Sequence, residues 1–157
     1  SVYDIACAVL VSPIFYNSEK GIPFVDEVLF DPPFKDDLYF VYLNVIQNSR
    51  LGIKRFNELK NNISSEIKKA SELTLEIAKS VSLDEFEALI NEHEALVSGV
   101  IRQKPIKEVL FSDYFGQIKS LGAWGGDFIL ATGNHKTPAY FKERGFEIVI
   151  PYKFMVK

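Results

Sequence analysis

Near the C-terminal end, three glycines, the single tryptophan and an aspartate stand between two apolar runs: "QIKSL", then Gly122-Ala-Trp-Gly-Gly-Asp127, then "FILAT". The flanking runs read as two strands. A tight hairpin between strands needs one or two glycines. Gly122, Gly125 and Gly126 instead predict a broad bend, with backbone freedom and room for a ligand or another backbone to come close. Amides of such a bend can point into a cleft. The spacing is neither a dinucleotide fingerprint nor a Walker loop. Lys119 before the bend offers a cation, and Asp127 at its end an anion. The residues alone leave two readings open: a glycine-rich turn with Trp124 as a packing plug, or the wall of a binding site.

The rest of the chain places this bend in an α+β pattern. Pro13, Gly21, Pro23, Pro32 and Pro33 punctuate residues 1–34, so helices there must be short. A short strand is expected at Val25–Phe30. "LYFVYLN", Leu38 to Asn44, reads as a buried strand. A helix is expected from about Arg50, capped by Ser49, with Ile53, Phe56 and Leu59 at helical spacing. Another is expected over Ile63–Ser80, with Ile63, Ile67, Ala70 and Ile77 on one stripe. Ser82-Leu-Asp-Glu85 reads as a capping box that opens a helix. Phe86, Leu89, Ile90, His93, Leu96 and Val97 form its inner face. A short helix near Ile106–Tyr114 precedes the two strands. Thr137-Pro138 signals a helix start, Gly145 a left-handed stop, and "EIVIPY" a last strand. Strand, helices, two strands, helix, strand predicts helices on one face of a mainly antiparallel sheet.

Composition narrows the function classes. The chain of 157 residues is 47% hydrophobic and 25% charged, with a net charge of −3. That is a folded globular composition without the basic field that nucleic acid requires. Thirteen Phe and seven Tyr predict a well-filled core and one aromatic-rich surface. A lone Cys7 forms neither an internal disulfide nor a multi-cysteine metal site. Two histidines make a metal site unexpected, and Cys7 reads as a small buried hydrophobe. No apolar run reaches the ~18 residues of a membrane span, and no signal-peptide pattern opens the chain. These features predict a soluble cytoplasmic protein.

"KSLGAWGGDF" resembles the third motif of the GHMP kinase superfamily, at Lys119, Gly122, Ala123, Gly125 and Gly126. Trp124 and Asp127 stand where that motif has glycine. "VYDIA", Val2 to Ala6, resembles the Gly-Tyr-Asp-Ile-Ala segment of one bacterial branch, with Val2 in place of its glycine. "NEHEALVSGV" is similar to the mevalonate-kinase helix that faces the acceptor substrate. "YFVYLN" and "QNSR" also resemble that branch. The superfamily's N-terminal segment Pro-x-x-x-Gly-x-Gly-Ser-Ser-Ala, which holds the ATP phosphates on backbone amides, has no counterpart in these residues. The resemblance therefore implies a C-terminal portion. Residues 1–36 would be a remnant of the ribosomal-S5-like N-terminal domain, and residues 37–157 the ferredoxin-like C-terminal domain.

Carried over residue by residue, the resemblance implies a kinase of isoprenoid biosynthesis, acting on mevalonate or phosphomevalonate with ATP and Mg²⁺. Asp4 takes the place of the catalytic acid that orients the acceptor hydroxyl and accepts its proton. Ser49 falls near the acceptor's polar group, and His93 faces substrate. Lys119 is a phosphate partner, and the bend Gly122, Ala123, Trp124, Gly125, Gly126 and Asp127 lines the acceptor site. Each has an ordinary alternative: a terminal acid, a helix cap, a core histidine, a solvated lysine and a packing plug. The alternative function is a non-catalytic ferredoxin-like module that binds a small acid or pairs with a second subunit, either the missing N-terminal half or another copy.

Overall fold

The computed structural model describes residues 9–10, 12–19, 22–45, 56, 63–122, 124 and 126–156. The chain divides into two compact units, Ser1–Asp31 with Val156–Lys157, and Pro32–Met155. In the first, β1 (Ile14–Glu19) and β2 (Ile22–Glu27) form an antiparallel hairpin in which Tyr16 faces Val25. The expected strand over Val25–Phe30 thus begins earlier and ends at Glu27. The Ser12 hydroxyl donates to Glu27 and the Val28 amide to the Pro13 carbonyl, which closes the open end of the ribbon.

The second unit carries the sheet that positions the glycine bend. Its strands are β3 (Leu38–Tyr42), β4 (Ile118–Ser120), β5 (Phe128–Thr132) and β6 (Val149–Pro151). Their order is β4-β5-β3-β6, and every pairing is antiparallel. Helices α1 (Ser64–Lys79), α2 (Leu83–Ile101) and α3 (Ile106–Leu110) lie between β3 and β4 in sequence. Helix α4 (Thr137–Lys142) joins β5 to β6, and α5 (Tyr152–Met155) follows. The unit is α+β with an antiparallel sheet, an arrangement compatible with a ferredoxin-like fold.

Strands β3 and β5 are central, and their near-continuous apolar sequences bury both of their faces. On one face Val41, Ile129 and Ala131 join Ile118, Phe111, Tyr114 and Phe141 in the core cluster. Leu38, Leu130 and Thr132, on the opposite face, are also buried. Both sides of the central strands are therefore covered, where one covered face was expected. On that second side the Thr132 hydroxyl donates to Glu87 of α2 and accepts from the Gln117 amide at 2.7 Å.

Much of the aromatic surplus packs around Phe111 and Tyr114. Phe141 lies 5.1 Å from Phe111 and 5.0 Å from Tyr114 between ring centroids. Phe115 and Phe154 remain exposed. The Tyr114 hydroxyl donates to the Thr132 carbonyl at 2.7 Å, so the Thr137 hydroxyl donates to it in turn at 2.8 Å. This engagement changes the start of α4. Thr137 is its first residue rather than its cap, and its oxygen also accepts from the Asn134 amide at 3.1 Å. Gly145 does take the left-handed conformation, φ 85°, after the helix has ended at Lys142.

Helix α1 turns Ile63, Ala70 and Ile77 of the expected stripe inward, but not Ile67. Leu73 is fully buried while Ile67 is 58% exposed. The inward line runs through Glu66, Ala70, Leu73 and Ile77, one position round from Ile67. The capping box of α2 is present with a shifted return arm. Ser82 accepts from the Glu85 amide at 3.3 Å, and the Glu85 carboxylate accepts from the Val81 amide at 3.1 Å. The expected helix near Arg50 lies outside the described residues, Phe56 apart. No helix among the described residues is long and apolar enough to cross a membrane.

Two glycines test this packing in opposite directions. A Cβ on Gly116 would sit 2.1 Å from the Thr132 carbonyl oxygen, whereas one on exposed Gly99 within α2 meets nothing within 4 Å. Gly116→Ala is expected to destabilise the unit by about 3 kcal/mol, because only backbone movement relieves the clash. Gly99→Ala is expected to stabilise it by about 0.5–1 kcal/mol through helix propensity. Chemical denaturation of both variants measures the pair.

Candidate functional site

Helix α2 and strand β4 bring two of the expected site residues into contact. The Lys119 ammonium donates to Nδ1 of His93 at 3.1 Å and lies 3.4 Å from Oε1 of Glu94. The Ser120 hydroxyl donates to the other oxygen of Glu94 at 2.8 Å. Glu94 is 3% exposed, and the Lys119 side chain is 20% exposed. Neighbouring strand residues point to opposite faces, so one carboxylate collects both Lys119 and Ser120 only because β4 is an edge strand and the lysine is long.

The geometry fixes the protonation of the histidine. An ammonium has no acceptor, so Nδ1 of His93 must accept and the ring proton sits on Nε2. Burial first, and the Lys119 charge second, lower the His93 pKa to about 4. His93 is therefore neutral at pH 7 and presents an Nε2–H donor. Burial also lowers the Lys119 pKa, opposed by the charge and hydrogen bond of Glu94. The cluster offers a half-buried cation beside a neutral N–H donor, suited to a carboxylate or phosphate oxygen.

The glycine bend springs from the same strand end. The Leu121 amide bonds the Phe128 carbonyl at 3.3 Å and closes the neck of residues 122–127. Gly122 has φ 58° and open space around a Cβ, so the backbone angle rather than crowding requires glycine there. Trp124 is also left-handed, φ 49°, and its indole Nε1 is buried without a hydrogen-bond partner. Gly126 is buried and Asp127 exposed. The Asp127 carbonyl accepts from the Leu43 amide at 2.7 Å, which ties the bend to β3. Asp4, Ser49, Ala123 and Gly125 lie outside the described residues.

Glu94 and Ser120 escaped the reading of the sequence. The available signal was the row Phe86, Ile90, Glu94, spaced four apart on the buried stripe of α2. A carboxylate on such a stripe needs a cation or donors close by. Elsewhere, a cleft of about 440 Å³ opens between the start of α1 and the end of α2, lined in part by Ile63, Glu66, Leu96, Gly99 and Arg102. None of the expected site residues that are described lines it. Among the described residues no group of three or more His, Cys, Asp or Glu side chains could hold a metal ion. Compared with known proteins, the chain matches no family model and no curated sequence.

Two measurements test the cluster. Unfolded His93 takes up a proton near pH 6.5 and the folded form only near pH 4, so stability is full above that window and falls as pH drops through it. His93→Gln is expected to flatten thermal stability between pH 6.5 and 4, and an unchanged slope would exclude the buried neutral ring. Glu94→Ala strands Lys119 and Ser120, with an expected cost of roughly 3 kcal/mol in denaturant unfolding.

Proposed function

We propose that this chain is the C-terminal part of a GHMP-type small-molecule kinase of the cytoplasm. It transfers the ATP γ-phosphoryl group to a small acidic alcohol or phosphate, with mevalonate or phosphomevalonate as the best-matched acceptors. One observation carries the proposal. The helix and the glycine segment that separately resemble this superfamily, 26 residues apart at His93 and Lys119, meet at 3.1 Å. Nothing in their local sequences demands that contact. The strand order β4-β5-β3-β6 supports the ferredoxin-like part of the assignment. Residues 1–36 would then belong to the ribosomal-S5-like domain.

Phosphoryl transfer asks the protein mainly for position and charge neutralisation. The described residues serve the acceptor side. Lys119 meets the acceptor's acid group, the Nε2–H of His93 donates to a second oxygen, and Glu94 with Ser120 keeps the lysine in place. Gly122 and its neighbours let the acceptor approach the backbone. Asp4 would take the acceptor hydroxyl proton, and Ser49 would bond the acceptor's polar group. Mg²⁺, which the resemblance implies together with ATP, would supply neutralisation of the nucleotide's charge. The resemblance assigns the nucleotide side to the N-terminal half.

Phosphorylation assays of the full-length parent with ATP and a panel of acidic alcohols test the proposal. Turnover of mevalonate or phosphomevalonate is expected, with Lys119→Met lowering kcat/KM about 100-fold through lost charge-assisted binding. No turnover with any member of the panel would refute it.

A further inference from the structure

The cover over the second face of the sheet is complete only where Leu38 pairs with Thr132, whose hydroxyl bonds Glu87 of α2. One step along the strands it thins. Lys119 of β4 stands opposite Leu130 of β5, Leu130 opposite Phe40 of β3, and Phe40 opposite Ile150 of β6. Directly paired residues share a face, so these residues form one row across the whole sheet. Leu130 is 8% exposed, whereas Phe40 and Ile150 are only half-buried. The next row on that face pairs Phe128 with Tyr42, also half-buried, with ring centroids 5.0 Å apart. The first row is amphipathic along its length. One end carries the Lys119 ammonium beside the neutral His93 ring, and Leu130, Phe40 and Ile150 carry no charge. Contiguous apolar surface of this kind, half-open beside a polar group, is characteristic of binding sites.

We infer that this row binds a single-chain carboxylic acid: the carboxylate meets Lys119 and His93, and the hydrocarbon tail lies across Leu130, Phe40 and Ile150. The inference rests on the reading of Lys119 and His93 as receivers of an acid group, and it extends the ligand class from short acids to acids with a tail. Three inter-strand spacings give the row a span of about 14 Å. With C–C bonds of about 1.5 Å in a zigzag, that span takes roughly eight to ten carbons. The head is a carboxylate because Lys119 already faces the Glu94 carboxylate. Lysine and glutamate together carry no net charge, so a singly charged group is placed there at less cost than a phosphate dianion. Phe128 and Tyr42 flank the row and add apolar contact to a tail lying beside them.

Calorimetric titration of the chain with butanoate, hexanoate, octanoate and decanoate, each below its micelle concentration, tests the row. Affinity is expected to rise about twofold per added methylene up to octanoate or decanoate, less than the roughly fourfold of a fully buried methylene because the row is half-open. Lys119→Met is expected to weaken every acid about tenfold. Ile150→Thr keeps the β-branched shape at the far end of the row and is expected to weaken octanoate about threefold more than butanoate. Octyl phosphate and octylamine carry the same tail and are expected to bind more weakly than octanoate; tighter binding by either overturns the carboxylate assignment. Equal affinity for butanoate and octanoate removes the tail row and leaves an acid site at Lys119. No binding by any acid removes both. A rise with chain length that survives Lys119→Met and Ile150→Thr is adsorption elsewhere and overturns the inference. A rise that both variants abolish, in a protein whose full-length parent phosphorylates no acidic alcohol, removes the kinase and keeps the row.

Discussion

Two glutamates on α2 hold the β4–β5 ribbon in line with the helix, and the candidate site depends on that alignment. Glu87 takes the Thr132 hydroxyl opposite Gln117, and Glu94 takes Ser120 and Lys119 at the other end. Seven helical residues separate the two carboxylates, a rise of about 10.5 Å. Three strand residues separate Gln117 from Ser120, about 10 Å. The two spacings match along the axis, and Ser120, on the other face from Thr132, reaches Glu94 because β4 is an edge strand. Each bond is weak alone, but Glu94 is buried, and without its partners it would carry an uncompensated charge. That penalty, more than any bond, fixes the register of α2 on the edge strand. With the register fixed, His93 arrives beside Lys119.

At the far end of the ribbon, backbone and aromatic packing replace charge. Gly116 and Gly133 lack side chains because the Thr132 carbonyl and the hydroxyls of Thr137 and Tyr114 occupy that space. The Tyr114 ring reaches into the core while its hydroxyl bonds the end of β5. This end is filled and fully satisfied. The bend end carries the left-handed residues Gly122 and Trp124 and an unmet donor. Proteins tolerate such local costs where the surrounding structure enforces them, and such positions cluster at ligand sites.

How much of this was visible in the sequence depends on the scale of the signal. Strands β3, β4 and β5 and helices α1 and α2 lie within a few residues of where their patterns placed them, because long apolar periodicity is set by burial. Details that depend on a tertiary partner were not legible. Thr137 reads as a cap until Tyr114 takes its hydroxyl. Ile67 reads as core until α1 turns its Leu73 line inward. Glu94 escapes notice in the sequence, and only the folded chain closes Lys119 and Ser120 on it. His93 and Lys119 were each marked by resemblance to a motif, but only folding reveals that they touch. Asp4, Ser49, Ala123 and Gly125 belong to the expected site and fall outside the described residues.

The central claim is that a neutral His93 and a charged Lys119 together receive the acid group of a small molecule. Nitrogen-15 spectra of the His93 ring in the full-length protein, recorded at pH 7 with and without mevalonate, address it most directly. The expected spectrum shows an Nε2-protonated neutral ring whose signals move saturably as mevalonate is added. A doubly protonated ring at pH 7, or signals that stay still at saturating mevalonate while the enzyme turns it over, would contradict the claim.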